Sequence, residues 1–296
     1  MLNALSIDVE DYYHVSAFES VVRFEDWHRH ESRVEKNTHR ILELLDPYGV
    51  NATFFVLGWV AERYPGLVRE ISARGHEVAS HGYSHQRIYR QSVSQFREET
   101  KRSKKALEDI IGKRVNGYRA ASYSITQKSL WALDILREEG FIYDSSIFPV
   151  YHDLYGIPGS ERFCHVLKGS EGRGLVEMPL STLNLAGVNI PVAGGGYLRL
   201  FPYSFIQWAI NRLNKKEGQP AVIYLHPWEF DPDQPRIKAS FLSRFRQYLN
   251  LRTTEKKFMK LVNNFTFGTI YQVLIREGFL AADRPRDPSP GKPTMA

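Results

Sequence analysis

The chain has one cysteine, Cys164, among its 296 residues, so an internal disulfide bond is excluded. No apolar run approaches the roughly 20 residues that a membrane-spanning helix requires. The N-terminus lacks the basic and apolar segments that make up a secretion signal. We therefore expect a cytoplasmic protein whose contact with membranes is at most peripheral.

The sequence also has few clusters of like-charged residues. The 39 basic residues exceed the 33 acidic ones by six, and both are spread along the chain. The only dense basic cluster, residues 101–105, lies in a helical pattern and has no aromatic residues interleaved for base stacking. The sequence thus predicts no nucleic-acid partner, whereas acidic or lipid-linked glycans fit the positive balance.

The periodicity of apolar residues indicates an α/β protein. A hydrophobic content of 43% is sufficient for a large core. Strand-like runs alternate with longer helical ones, and five such steps fit into roughly the first 140 residues, which favours a βα barrel in one main domain. Later segments with regular patterns are predicted as helices at 203–216, 241–264 and 269–277 and as strands at 221–225 and 265–267. Residues 151–196 are rich in Gly, Pro and Ser, which is typical of loops that build a site.

Two histidines four residues apart, His81 and His85, follow the short predicted strand 78–79. Neutral imidazole is a good zinc ligand, and a catalytic zinc site usually has three protein ligands. The pair fits such a site if residues 82–84 begin a helical turn. On its own, the pair is equally compatible with two ordinary surface or core histidines.

An acidic run supplies the carboxylates that such a site lacks. Asp8, Glu10 and Asp11 follow the first predicted strand, and carboxylates this close repel each other unless a cation or an arginine compensates them. The ordinary alternative is an acid-rich helix N-terminus. Arg119 and His226 end two further predicted strands, and parallel α/β folds collect their active sites at these strand ends.

These motifs, in this order, resemble those of the polysaccharide deacetylases of carbohydrate esterase family 4, the NodB-homology group. The chain is most similar to the branch found in exopolysaccharide gene clusters, which has its own C-terminal portion, here about residues 150–280. The motifs that carry the resemblance are Asp8 to Asp11, His81 to His85, Arg119 to Tyr123, Asp144 to Ser146 and Leu225-His226-Pro227.

The resemblance implies a distorted (β/α) barrel that holds a divalent metal through one carboxylate and two histidines. We expect a single domain over residues 1–280 and a disordered tail over 281–296, because the tail has too little apolar surface to fold. The metal ligands would be His81 and His85 with either Glu10 or Asp11. Zn²⁺ is the expected ion, with Co²⁺, Mn²⁺ and Ni²⁺ as alternatives.

The resemblance also implies roles for four further residues. Asp8 would act as the general base, held ionised and oriented by Arg119. His226 would protonate the leaving amine, with Asp144 steadying its charge. Each of these residues also has a non-catalytic alternative. Arg119 and Asp8 would form a structural ion pair, Asp144 would cap a helix, and His226 would be packed in the core.

The sequence departs from the usual family pattern at the acidic run. Members commonly have two adjacent aspartates, whereas Val9 follows Asp8 here. If residues 8–10 are extended, the two-residue period of a strand places Asp8 and Glu10 on one face and turns Asp11 away, which favours Glu10 as ligand. A turn at the strand end would instead bring Asp11 inward. Ala121 and Ser122 also stand where the family usually has a proline and often an aromatic residue.

A glycine-rich segment, Gly194 to Gly196, resembles a feature of the same branch. It is either a substrate loop, with Tyr197 stacking on a sugar and Arg199 meeting a carboxylate or phosphate, or a flexible hairpin. The residues that we predict to contact substrate are Tyr123, Gly195, Gly196, Tyr197, Arg199 and Trp228.

The predicted function is metal-dependent removal of N-acetyl groups from amino sugars of a polysaccharide or its lipid-linked oligosaccharide precursor, in exopolysaccharide biosynthesis. The alternatives are a cyclic-amide hydrolase, acting on a substrate such as allantoin, and a glycan-binding scaffold without catalysis. The sequence leaves open which polysaccharide is used, which metal is native and what the oligomeric state is.

Overall fold

A computed structural model describes residues 1–152, 154–167 and 174–281, and its centre is one curled sheet. The strands, in chain order, are β1 (Leu2–Val9), β2 (Thr53–Val56), β3 (Glu77–Ser80), β4 (Gly117–Tyr118), β5 (Tyr143–Asp144), β6 (His165–Leu167), β7 (Leu175–Glu177), β8 (Thr182–Leu185), β9 (Val188–Pro191), β10 (Val222–Leu225) and β11 (Thr266–Gly268). The spatial order in the sheet is β10-β1-β2-β3-β4-β5-β7-β6, with β11 beside the start of β1, and β8 with β9 forms a separate hairpin. The pairs are parallel except β6–β7 and the hairpin.

This topology confirms the α/β prediction, in the form of a half-barrel. Strands β10 and β6 stand at the two ends of the sheet, and no strand among the described residues joins them into a closed ring. The strands β1 and β2 are buried nearly throughout, as expected of a parallel sheet covered on both faces.

Helices cover the sheet. In chain order they are α1 (Val34–Leu45), α2 (Gly58–Arg63), α3 (Pro65–Ala73), α4 (Val93–Ile111), α5 (Trp131–Glu138), α6 (Gly195–Leu200), α7 (Tyr203–Lys215), α8 (Phe241–Tyr248), α9 (Thr254–Asn264) and α10 (Ile270–Arg276). The apolar stripe of α1 is buried as its pattern predicts, with Ile41, Leu42 and Leu45 fully inaccessible to solvent. No helix in the described ranges has both the length and the apolar character to cross a bilayer.

Two sequence-based predictions of local structure are wrong. The helix expected over 241–264 is interrupted between α8 and α9, because Asn250 adopts a left-handed φ of 52° and its side-chain amide donates to the carbonyl of Arg199 at 3.1 Å. The segment 151–196 is less irregular than expected, since it contains β6 to β9 and the start of α6. The predicted tail, residues 281–296, lies outside the described residues except for residue 281.

Candidate metal centre and active site

The carboxyl ends of the parallel strands bring the chemically active side chains together. Asp8 lies near the end of β1, His81 follows β3 directly, Arg119 follows β4, and His226 follows β10. Because β1 pairs with both β2 and β10, and β3 lies next to β2, these strand ends share one edge of the sheet. This is the edge at which parallel α/β folds bind ligands.

Glu10, His81 and His85 converge on a single point. The Nε2 atoms of both histidines lie 2.9 Å from Oε1 of Glu10, and all three side chains are buried. His81 Nδ1 donates to the carbonyl oxygen of Arg119 at 2.8 Å, so in the neutral ring the lone pair is on Nε2. Nε2 and the carboxylate oxygen are then two acceptors facing each other. Such a donor set fits a divalent cation.

The local backbone, rather than a helical turn, positions the two histidines. Residues 81–87 are not helical, and Gly82 and His85 adopt positive φ angles of 73° and 54°. A left-handed conformation at a non-glycine residue costs energy of order 1 kcal/mol or more, and such strain is concentrated at functional sites. The prediction of a helical turn is therefore wrong, although the two imidazoles do meet.

Asp11 faces away from this point. One of its carboxylate oxygens accepts from the backbone amides of Arg33 and Val34 at 2.7 and 3.1 Å and from the hydroxyl of Ser32 at 2.9 Å. These amides belong to the N-terminus of α1, where backbone donors lack helical partners. Asp11 thus has a structural role at the N-terminus of α1, and the geometry favours Glu10 as the carboxylate of the cluster.

The buried charges account for the ionisation of Glu10. Burial alone raises the pKa of a carboxyl group, but the adjacent imidazoles of His85, His226 and His81 hold the pKa of Glu10 well below its usual value. Glu10 is therefore a carboxylate at neutral pH.

Asp8 is held by a guanidinium group and a phenol. Arg119 Nη1 lies 2.7 Å from Asp8 Oδ1, and the Tyr123 hydroxyl donates to Asp8 Oδ2 at 3.2 Å. The guanidinium is itself fixed by the hydroxyl of Ser6 and by the carbonyl and hydroxyl of Ser145, at 2.7 to 3.1 Å. Each of its three nitrogen atoms donates to a buried partner, so the Asp8 carboxylate has one defined orientation.

His226 has a carboxylate partner, Glu229, that the sequence analysis missed. His226 Nδ1 lies 2.7 Å from Glu229 Oε1, and Arg199 Nε donates to Glu229 Oε2 at 2.8 Å. Burial lowers the pKa of His226, but the charges of Glu10 and Glu229 outweigh it and raise the pKa to about 9. The sequence signal was His226-Pro227-Trp228-Glu229, in which a proline and a glutamate stand at the first and third positions of a helical turn as in a capping box.

Two predicted roles are corrected by these contacts. The guanidinium of Arg199 is engaged within the protein rather than free for a substrate anion: the residue borders the cavity but is 2% exposed, and the guanidinium binds Glu229 and the backbone carbonyls of residues 246, 247 and 249. Asp144 is not the partner of His226. It lies in a buried carboxyl pair with Glu177, where burial raises the pKa of Asp144 to about 6 and that of Glu177 well above its usual value. Glu177 was missed as well, although a lone acid in the apolar run 175–178 is a signal.

The glycine-rich segment is not a hairpin, because it leads into a helix. Gly194 forms a bridge to Tyr224 of β10, and Gly195 and Gly196 begin α6. A Cβ atom on Gly195 would lie 2.2 Å from the carboxylate oxygens of Glu229, whereas one on Gly196 would meet its nearest neighbour at 4.0 Å. Gly195 is therefore required so that the Glu229 carboxylate can lie against the first turn of α6.

This contact predicts different outcomes for two adjacent glycines. Gly195→Ala should lower the free energy of unfolding by about 1–3 kcal/mol, because Glu229 must move from Arg199 and His226. Gly196→Ala should change it by less than about 1 kcal/mol and in the stabilising direction, because alanine favours helix and has room. Urea unfolding of both variants tests this, and equal stability losses would contradict it.

The side chains border a cavity of about 540 Å³. Asp8, Glu10, His85 and His226 line its floor, and the predicted substrate contacts on its wall are Tyr123, Gly196, Tyr197, Arg199 and Trp228. Trp228 stacks on His226 with ring centroids 5.1 Å apart, and the hydroxyls of Tyr155 and Tyr197 are 3.2 Å apart. An aromatic wall above polar floor groups can bind the apolar face of a sugar while its polar substituents reach the floor.

Comparison with protein families finds a match for two segments of the chain. Residues 19–139 match the family described as "Polysaccharide deacetylase", and residues 145–275 match a "Domain of unknown function (DUF3473)". Residues 19–139 are thus similar to the polysaccharide deacetylase family, in agreement with the resemblance of the motifs, and residues 145–275 are similar to the second family. Both segments contribute strands to the same sheet.

Individual relatives agree with this assignment. A peptidoglycan-N-acetylglucosamine deacetylase of Bacillus cereus is 26% identical over 152 residues, which are 47% of this chain and 54% of that protein. The chain thus spans about half of that relative. Among solved structures, one from Mycobacterium smegmatis assigned to the polysaccharide deacetylases has a TM-score of 0.62 at 21% identity, covering 97% of this chain and 93% of the other. Puue allantoinase has a TM-score of 0.59 at 14% identity, covering 93% and 90%. These two structures share the fold.

Proposed function

We propose that the protein is a metal-dependent hydrolase that removes N-acetyl groups from amino sugars of a polysaccharide or of its lipid-linked precursor. The observation that carries this proposal is the convergence of Glu10, His81 and His85 on the floor of the cavity that Asp8 and His226 also line. The deacetylase domain and the Bacillus cereus relative support the choice of substrate class. The role in exopolysaccharide biosynthesis rests on the sequence resemblance, and the cytoplasmic location stays a prediction.

Glu10, His81 and His85 would hold the metal, with Zn²⁺ expected first. A divalent cation at these ligands supplies Lewis-acid polarisation of a carbonyl group and makes water more acidic. Side chains of the protein carry out the proton transfers.

Asp8 takes a proton from the attacking water, since Arg119 and Tyr123 hold its carboxylate at the cavity floor. His226 carries the second proton at Nε2, because Nδ1 is engaged by Glu229, and it gives this proton to the amide nitrogen as the carbon–nitrogen bond breaks. The products are acetate and a free amine. Arg119 and Glu229 are positioning residues, because they act through Asp8 and His226.

The role of Glu229 predicts a shifted pH profile. The carboxylate of Glu229 helps to raise the pKa of His226, which favours the protonated imidazole that the reaction requires. Glu229→Gln removes one of the negative charges that raise this pKa, so the alkaline limb of kcat should move to lower pH by roughly one unit or more. A pH–rate profile of both proteins checks this. An unchanged alkaline limb with a reduced melting temperature would assign Glu229 a structural role alone.

Parallel substrate assays separate the proposed reaction from the alternatives. We expect acetate release from N-acetylglucosamine oligomers and no ring opening of allantoin, since the cavity of about 540 Å³ with an aromatic wall suits a sugar unit. Ring opening without acetate release would establish the cyclic-amide reading. Oligomer binding with neither reaction would establish the glycan-binding scaffold.

A further inference from the structure

The helix α8 exposes apolar residues and buries a polar one, which is the opposite of the usual amphipathic pattern. Its one buried residue is the polar Gln247, whose side-chain amide donates to Gln234 Oε1 at 3.2 Å. Its large apolar residues face solvent: Phe241 is 83% exposed, Leu242 54% and Phe245 47%. A surface helix ordinarily buries such residues, and contiguous exposed apolar surface marks a site of interaction.

This helix is firmly held, so the exposure is a property of the folded protein. Ser240 caps the N-terminus of α8 by accepting from the amide of Ser243 at 3.2 Å. At the other end, the Arg199 guanidinium binds the carbonyls of residues 246, 247 and 249. The helix thus presents three apolar side chains on a fixed support.

The charge around these side chains is positive. Arg236, Lys238, Arg244 and Arg246 are exposed, and none of them forms an ion pair within the described parts of the chain. The denser basic cluster on α4 differs, because Arg97 and Lys101 pair with Glu139, Arg102 with Glu62 and Lys105 with Asp109. Basic residues beside exposed phenylalanine and leucine are typical of helices that lie in the interface of an anionic membrane.

The exposed face is continuous with the active-site cavity. Leu242, Phe245 and Arg246 line the cavity whose floor carries Asp8 and His226, and the half-exposed Leu200 of α6 lies on the same wall. A surface that received this face would therefore lie at the cavity mouth.

We propose that α8 docks the protein on an anionic lipid surface and that the cavity accepts its acetylated amino sugar from a lipid-linked saccharide at that surface. Phe241, Leu242 and Phe245 enter the headgroup region, while Arg244 and Arg246 meet lipid phosphates. This inference rests on the proposed function for the substrate and on the exposed face of α8 for the docking.

Vesicle co-sedimentation of the full chain tests the docking. We expect binding to vesicles of phosphatidylglycerol and phosphatidylcholine that weakens as salt is raised, and little binding to phosphatidylcholine alone. Phe241→Ser should weaken binding by about tenfold or more, and Arg244→Ser by about fivefold. Neither residue lines the cavity, so both variants should keep wild-type acetate release from soluble oligomers.

Matched controls lie on α4. Val93 is 52% exposed, and Lys101 belongs to the basic cluster, so Val93→Ser and Lys101→Ser should leave vesicle binding within about twofold. Absence of wild-type binding to anionic vesicles, or equal losses in the α4 variants, would overturn the docking proposal. So would a concentration-dependent dimer that Phe241→Ser dissociates, because the face would then belong to a second copy of the chain.

Activity and docking are measured separately. Acetate release from soluble oligomers without vesicle binding would remove the docking proposal alone. Vesicle binding without acetate release from any acetylated substrate would remove the proposed function and leave α8 as a membrane-docking helix.

Discussion

Asp8→Asn is expected to lower the turnover of acetate release by about 100-fold or more, the scale associated with loss of a positioned base. Asparagine keeps the shape of the side chain but cannot take a proton from water. The metal content should stay close to that of the wild type, because Oε1 of Glu10, rather than Asp8, is 2.9 Å from both histidines. Steady-state kinetics together with metal analysis of the purified variant check both parts.

Arg119→Ala tests the same role of Asp8 through its positioning partner. It should resemble Asp8→Asn in keeping its metal and losing turnover, since Arg119 acts through the Asp8 carboxylate at 2.7 Å. Its burial makes some loss of stability inevitable, so a melting curve accompanies the kinetics. Loss of metal in Asp8→Asn would show that Asp8 is a ligand and would require a different base.

Substitution of the proposed metal ligands Glu10, His81 and His85 should cause the second large loss of activity. His81→Ala, His85→Ala and Glu10→Gln should each lose metal affinity by about tenfold or more and lose activity with it, because each contributes one atom to the same point. Metal titration monitored by calorimetry measures the affinity, and activity restored by excess metal would show that the protein is still folded.

Asp11→Asn is the matched control for Glu10→Gln. It removes a charge one residue away, yet Asp11 contacts the start of α1 rather than the histidines. We expect reduced stability and unchanged metal affinity. Equal weakening of metal binding in both variants would mean that the acidic run acts through its summed charge.

The motifs at the strand ends were predictable from the sequence, because their residue types and order are local properties of the chain. The preference for Glu10 over Asp11 rested on the strand period, which decides which side chains share a face, and Glu10 is the acid that lies against the two histidines. Asp11 turned out to satisfy the amides of residues 33 and 34, a contact that no short-range pattern reveals.

Partners from distant segments were not predictable. The family resemblance implied that Asp144 steadies His226, but the structure pairs Asp144 with Glu177 and gives His226 the nearby Glu229. Arg199 was expected to meet a carboxylate or phosphate of the substrate, whereas the carbonyls of residues 246, 247 and 249, at and just beyond the end of α8, bind its guanidinium. The sequence pattern also predicted a single helix over residues 241–264. The structure interrupts this helix at Asn250, which has a left-handed backbone and contacts α6, and a local sequence pattern does not reveal such a distant contact.

Acetate release before and after metal removal tests the central claim most directly. The account predicts that prolonged chelation abolishes acetate release from N-acetylglucosamine oligomers, that one divalent ion per chain restores it, and that Glu10→Gln needs a higher metal concentration for the same recovery. Acetate release that persists at the wild-type rate in protein shown by elemental analysis to be free of metal would contradict it.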